Sequence, residues 1–464
     1  MKTKNLYINT MGCQMNVYDS EQMCARLKPL GYQPVTSAEK ADLIIVNTCA
    51  IREKPVQKVF SFLGRLPHLK RKNPDLIIGV GGCVAQQEGS AILKRMPHVD
   101  LVFGTQTIGR LADNIRRIAL KKHRIIDIEM SPDIDSTDSA TPENYNRDVS
   151  RFVTIMRGCD NYCTYCVVPY VRGREISRPP HQIVDEIRYL VNTGVREVIL
   201  LGQNVNSYGK KKGIITFAQL LPQISAIEGL YRIRFTTSHP ADLGDDLIAS
   251  FQTDAKLCHH IHLPVQSGSD KILKRMNRKY MRSAYLKKID ELRAVCPDIA
   301  ITSDIIVGFP GETEHDFKET CNLIERVEYD GLFVFKYSDR PNAPAARFSD
   351  KVAEDEKQER LSAILTLQER YTIKKNRALA GSEQIVLTEG FSKQHHGDDD
   401  DATTQYSGRL SSNKIVNFVM CSDKRTSITN DKRPGLKGEL IRVKIEKALA
   451  HSLKGVAMGF LPEK

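Results

Sequence analysis

Residues 157–174 read RGCDNYCTYCVVPYVRGR and directly follow a β-like run at residues 152–156. Three cysteines in this stretch have the spacing C-x3-C-x2-C, namely Cys159, Cys163 and Cys166. A structural zinc site normally has four protein ligands, and the nearest fourth candidate is His181. Three thiolates around a 4Fe-4S cluster instead leave one iron open to a small molecule. We therefore take an iron-sulfur cluster with one open position as the working hypothesis, with a zinc site or three buried thiols as the alternatives.

The composition predicts a large cytoplasmic protein with several domains. A chain of 464 residues exceeds one ordinary core, and 41% hydrophobic residues are typical of soluble globular proteins. We find no apolar run of about 18 residues that would span a membrane and no apolar signal core after Met1. Eleven cysteines without a secretion signal indicate reduced thiols and metal ligation. The net charge of +12 favours a polyanionic partner.

Three further cysteines each follow a short apolar run near the start of the chain. They are Cys13 in MGCQMN, Cys49 in NTCAIRE and Cys83 in GVGGCVAQQ, spaced by 36 and 34 residues (49 − 13 and 83 − 49). Alternating strands and helices build an open parallel sheet, and residues beyond the carboxyl ends of its strands converge on one crevice. The pattern therefore predicts an α/β fold with a second three-cysteine site. Three unrelated small residues at strand ends are the alternative.

A longer alternation of strands and helices follows, with six apolar runs at residues 152–156, 198–201, 231–236, 258–262, 299–307 and 332–335. Six strand-helix repeats predict a partial parallel barrel, whose chemistry collects at the C-terminal ends of the strands. Asp304 is a functional candidate there, because an acid in a β-like run must find a partner. Four histidines are interpreted as surface or hydrogen-bonded core residues: His239, His259, His260 and His262.

The last part of the chain changes to short strands and turns, which predicts a small β-barrel of about 70 residues. Residues 408–454 contain eleven Lys or Arg against four Asp or Glu, so this module is locally +7. Small basic β-barrels often bind single-stranded or looped nucleic acid. The candidate RNA contacts are Arg409, Lys414, Lys432, Arg433, Arg442 and Lys444.

With these pieces placed, residues 4–455 resemble the radical-SAM methylthiotransferase family. The resemblance rests on the strings MGCQMNVYDSE, NTCAIREK, GVGGCVAQQEG, GCDNYCTYCVVPYVRGREISRP, LGQNVN, FTTSHP, LPVQSGSD and IVGFPGET, in the family's own order. It implies a methylthiotransferase N-terminal domain with an auxiliary cluster (1–125), a linker (126–148), a radical-SAM barrel (149–377), an RNA-binding TRAM domain (378–447) and a C-terminal tail (448–464). Two departures are Asn342, where the family has glycine, and the acidic HHGDDDD stretch at residues 395–401.

The resemblance also implies two 4Fe-4S clusters and S-adenosylmethionine as cofactors. The catalytic cluster would be held by Cys159, Cys163 and Cys166, and the auxiliary cluster by Cys13, Cys49 and Cys83. Tyr165 matches the position beside the adenine of S-adenosylmethionine. The other candidates for lining the cofactor or substrate are Gly202, Gln203, Asn204, Gln266, Ser267, Gly268 and Asp304.

The implied activity converts N6-isopentenyladenosine beside the tRNA anticodon to its 2-methylthio derivative. A 5′-deoxyadenosyl radical would abstract the hydrogen of C2, and a methylated sulfur on the auxiliary cluster would replace it. The expected partners of this monomeric protein are the tRNA anticodon stem-loop, S-adenosylmethionine and an electron donor such as a flavodoxin or ferredoxin. The alternatives are a sister methylthiotransferase, acting on threonylcarbamoyladenosine or on a ribosomal protein aspartate, and a non-catalytic iron-sulfur regulator that binds RNA.

Overall fold

The computed structural model describes residues 3–49, 53–130, 148–210, 213–392, 404–420 and 436–461. These residues form an open parallel sheet, a partial parallel barrel and a small closed barrel. None of their helices has both the length and the apolar character needed to cross a bilayer. Several predicted features lie outside the described residues: most of the linker, the HHGDDDD stretch, Lys432 and Arg433.

The N-terminal unit is a six-stranded parallel sheet with helices on both faces. Its strands are β1 (Lys4–Met11), β2 (Tyr32–Pro34), β3 (Leu43–Thr48), β4 (Ile77–Gly82), β5 (Leu101–Phe103) and β6 (Ile125–Asp127). Its helices are α1 (Gln14–Leu27), α2 (Glu53–Leu63), α3 (Pro67–Lys72), α4 (Cys83–Glu88), α5 (Ser90–Arg95) and α6 (Leu111–Lys121). Strand β3 is buried along its whole length, because helices cover both sides of the sheet. The open parallel sheet predicted from the sequence is confirmed.

The strand order β2-β1-β3-β4-β5-β6 places a crevice where the N-terminal cysteines lie. The order reverses between β1 and β3, and ligands of open α/β sheets bind beyond the carboxyl ends of the strands at such a point. Cys13 follows β1, Cys49 follows β3 and Cys83 follows β4. The topology thus brings three distant cysteines to one edge of the sheet.

The central unit is the predicted six-stranded partial barrel. Its parallel strands are β7 (Ser150–Thr154), β10 (Glu197–Leu201), β11 (Arg232–Phe235), β12 (His260–His262), β13 (Ala300–Val307) and β14 (Gly331–Lys336); β8 (Met156–Arg157) and β9 (Ile176–Ser177) form a short antiparallel pair. Its helices are α7 (Val168–Arg172), α8 (Pro180–Asn192), α9 (Phe217–Ser225), α10 (Asp245–Thr253), α11 (Asp270–Arg275), α12 (Arg282–Val295), α13 (Glu314–Val327) and α14 (Glu354–Arg377). An isolated bridge between Ile233 and Leu257 joins its two three-stranded halves.

Local sequence signals explain several boundaries of the barrel. Thr313 and Asp316 cap each other's backbone at the start of α13, so the GET segment ends the loop that follows β13. Asn342 adopts φ +70°, a left-handed conformation that asparagine tolerates better than most residues. The position where the family has glycine therefore retains a backbone conformation that favours glycine.

The C-terminal unit is a closed five-stranded barrel, as predicted, but it extends further than the sequence indicated. Its strands are β15 (Glu383–Phe391), β16 (Gln405–Arg409), β17 (Ile415–Met420), β18 (Leu440–Ala448) and β19 (Leu453–Phe460). Strand β19 pairs with both β17 and β18 and closes the barrel. The prediction of a tail at 448–464 is therefore wrong, because residues 453–460 complete the sheet and bury Leu453 and Ala457.

Two buried arginines on β11 attach the closed barrel to the partial barrel. Arg232 donates hydrogen bonds to the carbonyls of Arg409 (2.6 Å) and Ile385 (2.9 Å). Arg234 donates to the carbonyl of Ser411 (3.0 Å) and to the Glu197 carboxylate (3.2 Å). Arginine suits this contact between the two barrels, since its planar guanidinium reaches several acceptors at once.

Two of the predicted RNA contacts have ion-pair partners in the structure. The Lys414 ammonium lies 3.0 Å from an Asp330 carboxylate oxygen and from the Asn376 side-chain oxygen, and it is largely buried. The Arg409 guanidinium pairs with Glu389 at 2.8 Å. The prediction for Lys414 is corrected, because this largely buried cation ties the C-terminal barrel to the partial barrel. The Arg409 pair lies within the C-terminal barrel and is partly exposed, so its RNA contact stays a prediction.

Replacing Arg232 by methionine should loosen the C-terminal barrel. The substitution keeps side-chain volume but leaves two partly buried carbonyl groups without this donor, which we expect to lower the local opening free energy of β15 and β16 by about 1 to 3 kcal/mol. Hydrogen exchange of these strands measures the change. Arg188→Met, at an exposed site on α8, is the matched control with an effect below about 0.5 kcal/mol. Equal exchange rates in the two variants would contradict the anchoring role.

Candidate functional site

The barrel cysteine site consists of Cys159, Cys163 and Cys166 in the loop between β8 and α7. Gly158 starts the loop at φ +75°, and a Cβ there would lie 2.0 Å from the Arg174 carbonyl oxygen, so only glycine fits. The Gly158 amide donates to Gln203 Oε1 at 2.5 Å. The amide of Cys166 donates to the Cys163 carbonyl at 3.0 Å, which tightens the turn. The Gly158 turn and these two hydrogen bonds therefore fix the backbone of the loop.

The three thiols of the barrel site lie close enough to affect one another electrostatically. Burial and the Cys163 thiolate raise the pKa of Cys159 to about 11, although a backbone hydrogen bond at Asn161 opposes them. Burial and the same neighbour raise the pKa of Cys166 to about 12. Three neighbouring thiolates with restricted access to solvent require a compensating cation, and iron-sulfur clusters are held by such thiolates. The donor set fits a cluster held by three cysteines.

Arg278 holds this loop against the barrel, and the sequence analysis missed it. Its guanidinium donates to the Cys163 sulfur (3.4 Å), the Tyr165 hydroxyl (3.2 Å) and the Pro264 carbonyl (2.6 Å). The side chain is almost fully buried, and such an arginine is rare without partners. The sequence feature that could have indicated Arg278 is its place in MNRKY at residues 276–280, just beyond the helix α11.

Tyr165, Gln203 and Gln266 lie in loops that follow strands of the central unit, and Asp304 lies within β13. Tyr165 packs on an apolar group that includes Met276 and Phe309. Gln266 adopts φ +75° and bonds the backbone of β13 on both sides of Ile305, donating to the Asp304 carbonyl and accepting from the Ile306 amide. The Asp304 carboxylate lies 3.5 Å from His262 Nε2, so this acid has the partner that its position required. Gln203 holds the cysteine loop itself.

The remaining predicted residues make contacts that support the barrel. The Asn204 side chain bonds Asp242 (2.5 Å) and the His239 amide (3.1 Å). Gly202 packs against Met156. Ser267 and Gly268 pack on α13, where the Gly268 amide donates to the Thr320 hydroxyl at 2.9 Å. Their predicted cofactor contacts stay predictions.

The N-terminal cysteine site consists of Cys13, Cys49 and Cys83, which the fold brings together. A Cβ on Gly12 would lie 2.4 Å from the Cys49 Cβ, and one on Gly82 would lie 2.4 Å from the Thr48 carbonyl oxygen. Both glycines have positive φ, so the chain passes close to the neighbouring strand at each turn. The side chains of Asn16 and Asn47 hydrogen-bond each other at 2.9 Å beneath these turns and tie α1 to β3.

Electrostatics distinguish these three thiols. A hydrogen bond from Cys49 lowers the pKa of Cys13 to about 6 against the opposing effect of burial, and the charge of Arg172 lowers it further. Burial raises the pKa of Cys83, while the Arg172 guanidinium opposes that increase by its charge and a hydrogen bond. One thiolate therefore forms readily at neutral pH, and a cation from the barrel lies beside the set. The donor chemistry fits a second iron-sulfur cluster.

Two helices join the cysteine sites. Helix α7 follows Cys166 and packs Val167 and Val171 on Cys83 and Val84. The Thr105 hydroxyl donates to the Val171 carbonyl at 2.8 Å, which satisfies one terminal carbonyl of this short helix. Helix α1 follows Cys13, and its residues Met15 and Tyr18 pack on Leu201 of the barrel strand β10.

One further group of metal-type ligands occurs in the described part of the chain. His259, Cys296 and Asp298 lie at the N-terminal ends of β12 and β13, away from both cysteine sites. The His259 ring nitrogen and an Asp298 carboxylate oxygen are 2.9 Å apart, and the Asp298 side chain is largely exposed. This is an ordinary surface ion pair, which confirms the interpretation of His259 as a hydrogen-bonded residue.

Cys13 should react with alkylating agents at lower pH than other thiols of the iron-free protein. Its pKa of about 6 makes the thiolate dominant at neutral pH, so the alkylation rate should rise through pH 6 and then level off. Cys24 on the same helix is the control, because burial raises its pKa to about 11. Pulsed iodoacetamide labelling followed by peptide mass spectrometry measures both rates. If both cysteines were labelled with the same pH profile, the difference between their pKa values would be wrong.

Family models match the first two units, and curated relatives match nearly the whole chain. Residues 153–324 match the Radical SAM superfamily, and residues 5–104 match a family described as uncharacterized protein family UPF0004. The tRNA-2-methylthio-N(6)-dimethylallyladenosine synthase of Desulfosudis oleivorans is 54% identical over 98% of this chain and 97% of its own length. The protein of the same name from Geotalea uraniireducens is 48% identical over 95% of this chain and its own full length.

A solved structure shares the fold over much of the chain. The radical S-adenosylmethionine methyltransferase TsrM from Kitasatospora setae, solved with cobalamin and a [4Fe-4S] cluster, aligns with a TM-score of 0.57 over 74% of each chain. The sequences are 13% identical, so this likeness concerns the fold alone.

Proposed function

This chain belongs to the family of tRNA-2-methylthio-N(6)-dimethylallyladenosine synthases in the radical SAM superfamily, and we propose that it performs the reaction that this name describes. The substrate is N6-isopentenyladenosine beside the anticodon of tRNA, and the product carries a methylthio group at C2. The observation that carries the proposal is the direct packing of α7, which follows Cys166, on α4, which begins with Cys83. The reaction needs radical generation and sulfur delivery at one place.

The two cysteine sites would hold the cofactors. Cys159, Cys163 and Cys166 would hold a 4Fe-4S cluster that binds S-adenosylmethionine, and Cys13, Cys49 and Cys83 an auxiliary 4Fe-4S cluster. When bound, the barrel cluster supplies the electron that splits S-adenosylmethionine into methionine and a 5′-deoxyadenosyl radical. Glycine turns at both sites keep the thiols close to the backbone, which suits a bulky inorganic group.

The residues around the barrel site would bind, orient and exclude water. Arg278 holds the cysteine loop and the Tyr165 ring in one orientation, with Tyr165 beside the adenine of S-adenosylmethionine. Gln203 fixes the start of the loop, while the Gln266 amide donates to the Asp304 carbonyl of β13. The apolar packing of Tyr165 on Met276 and Phe309 keeps this side of the site dry, as a primary radical requires.

The C-terminal barrel would bind the tRNA anticodon stem-loop. Arg442 and Lys444 project from the exposed face of β18, where apolar residues alternate inward. Phe391 is 59% exposed and stacks on Tyr406 with their ring centroids 5.3 Å apart. Cations that contact phosphates and aromatic rings that stack on bases are the usual means of holding unpaired RNA. Affinity should therefore fall with rising salt.

We also propose the partners and the location of the protein. The enzyme acts as a monomer in the cytoplasm, where tRNA is available, and takes electrons from a small donor such as a flavodoxin or ferredoxin. The segments 1–125, 149–377 and 378–460 serve as the auxiliary-cluster, radical-forming and RNA-binding domains.

Deletion of the gene should abolish 2-methylthio-N6-isopentenyladenosine in tRNA, with N6-isopentenyladenosine accumulating in its place. Liquid chromatography and mass spectrometry of tRNA nucleosides measure both. Complementation with the intact gene is the control. Loss of a threonylcarbamoyladenosine derivative instead would assign the chain to a sister enzyme, and unchanged tRNA would disprove the proposed substrate.

Replacing Cys13, Cys49 and Cys83 together by alanine should remove about half of the iron and sulfide of anaerobically reconstituted protein, because one of two clusters loses its thiolates. The variant should still form 5′-deoxyadenosine from S-adenosylmethionine with dithionite, since the barrel site is intact. Triple replacement of Cys24, Cys258 and Cys321, which lie in other packed positions, is the matched control. Unchanged iron content would rule out the second cluster.

A further inference from the structure

Phe333 is an aromatic residue that faces the inside of the partial barrel. It lies on β14, where its neighbours Leu332 and Val334 pack on the core beneath the helices. Side chains alternate between the two faces of a strand, so Phe333 points to the opposite, inner face. It is 57% exposed there. A single exposed apolar side chain is ordinary on an outer surface, but this one lies on the face that a parallel barrel encloses.

Two polar side chains on the neighbouring strands share this inner face with Phe333. In the strand register His262 lies opposite Thr302, and Asp304 lies opposite Phe333, so the side chains of β12, β13 and β14 stand side by side. His262 Nε2 is 3.5 Å from an Asp304 carboxylate oxygen. The rings of His262 and Phe333 meet edge to face with their centroids 6.0 Å apart. These three residues, His262, Asp304 and Phe333, form the inner-face patch.

The inner-face patch lies close to the residue proposed to contact S-adenosylmethionine. Ile306 is two residues beyond Asp304 and therefore on the same face of β13. It packs on the same apolar group as Tyr165. Two residues of a strand span about 7 Å, so the patch lies about that much deeper in the barrel than the surroundings of Tyr165.

The inner face also adjoins the N-terminal cysteine site and is open at one side. The strands β7 and β14 form the two edges of the partial barrel, so the barrel is open beside Phe333. At its upper end, the Thr236 hydroxyl after β11 donates to Gln14 Oε1 at 3.4 Å, and Gln14 directly follows Cys13. A nucleoside that enters by the open side can therefore extend from the two cysteine sites to the inner-face patch.

The substrate of the proposed function carries an apolar group close to its reacting carbon. In N6-isopentenyladenosine, C2 and C6 both adjoin N1 of the purine ring, and the branched hydrocarbon chain is attached to the nitrogen on C6. When C2 is held at the carboxyl ends of the strands, this chain lies beside the ring and can extend into the barrel. The N6–H group is a donor, and the Asp304 carboxylate on the inner face is an acceptor of the kind that it requires.

We propose that Phe333 is a specificity-determining residue that contacts the N6-isopentenyl chain of the substrate. The proposal rests on the proposed function and adds to it the side chain by which the enzyme distinguishes its substrate from unmodified adenosine. An apolar chain that lies on the exposed ring removes the apolar surface of both from water, and adenosine without the chain lacks this gain. The His262 edge against the Phe333 ring favours one orientation of that ring.

The test compares the binding of two anticodon stem-loop RNAs to the reconstituted holoenzyme without reductant, so that no turnover occurs. One RNA carries N6-isopentenyladenosine and the other adenosine at the same position. Fluorescence anisotropy at one fixed salt concentration gives both dissociation constants. Wild-type enzyme should bind the isopentenyl RNA about tenfold or more tightly than the adenosine RNA. Phe333→Ala should reduce this preference about fivefold or more by weakening the isopentenyl RNA alone, whereas Phe333→Leu, which stays apolar, should keep it within about threefold.

The adenosine RNA separates recognition of the chain from other roles of Phe333. If Phe333→Ala weakened both RNAs equally, the ring would stack on the base or support the fold, and the proposal would be overturned. An unchanged preference for the isopentenyl RNA would overturn it as well. Leu365→Ala, which removes an exposed apolar side chain from α14, is the matched control and should leave both dissociation constants unchanged.

A larger side chain at the same position gives a second test if Phe333→Ala fails to fold. Phe333→Trp places more atoms where the isopentenyl chain would lie, so it should lower the preference for the isopentenyl RNA about threefold or more. A preference equal to that of wild type in Phe333→Trp would overturn the proposal.

Failure of the inference and failure of the proposed function have different signatures. If wild-type enzyme forms 2-methylthio-N6-isopentenyladenosine but Phe333→Ala keeps the wild-type preference, the role of Phe333 is wrong and the function stands. If wild-type enzyme methylthiolates neither RNA, the proposed function fails, and the binding ratios of wild type and Phe333→Ala still decide whether the ring selects the isopentenyl chain. Equal binding of the two RNAs by wild type would overturn the inference whatever product forms.

Discussion

The structure depends on the ion pair between Arg172 and Asp19, which joins the two units that carry the cysteines. Each unit contributes one partner directly after a cysteine motif, from α7 after Cys166 and from α1 after Cys13. A buried pair of this kind gains little net stability over apolar residues but strongly disfavours any arrangement that separates the charges. The main effect of the pair is therefore on the relative position of the two units rather than on stability. It fixes the two cysteine sites relative to each other through a helix of five residues.

Buried arginine is the recurring means by which this chain joins its parts. Arg172 connects the sheet to the partial barrel, Arg278 holds the cysteine loop, and Arg232 and Arg234 fasten the C-terminal barrel. Most of the acceptors are backbone carbonyls or single side chains that an apolar residue would leave without a donor. Arginine reaches two or three of them at once with a planar group, which lysine does not. Part of the large net positive charge thus joins the units of the fold, in addition to the part proposed to bind RNA.

The predictions from sequence succeeded where the signal was local. The six β-like runs became the strands of the partial barrel, and the cysteine at the end of each early apolar run lies beyond β1, β3 or β4. They failed where partners were distant. Lys414 looked like an RNA contact because the module is basic, yet Asp330 of the partial barrel pairs with it in the fold. The tail was wrong because the pairing of β19 with β17 has no sequence signature of its own.

The sequence by itself determined the barrel cysteine site, because C-x3-C-x2-C places three thiols in one short loop whatever the rest of the chain does. It also determined the order of the units, since the strand-helix alternation and the change to short strands are periodic signals. Only the tertiary structure decided that Cys13, Cys49 and Cys83 meet and that a barrel arginine lies beside them. Those contacts join residues far apart in the chain, and their proximity depends on strand order and helix docking. The strand-helix alternation predicted that the three cysteines converge, but it carries no record of the helix docking that places the barrel arginine beside them.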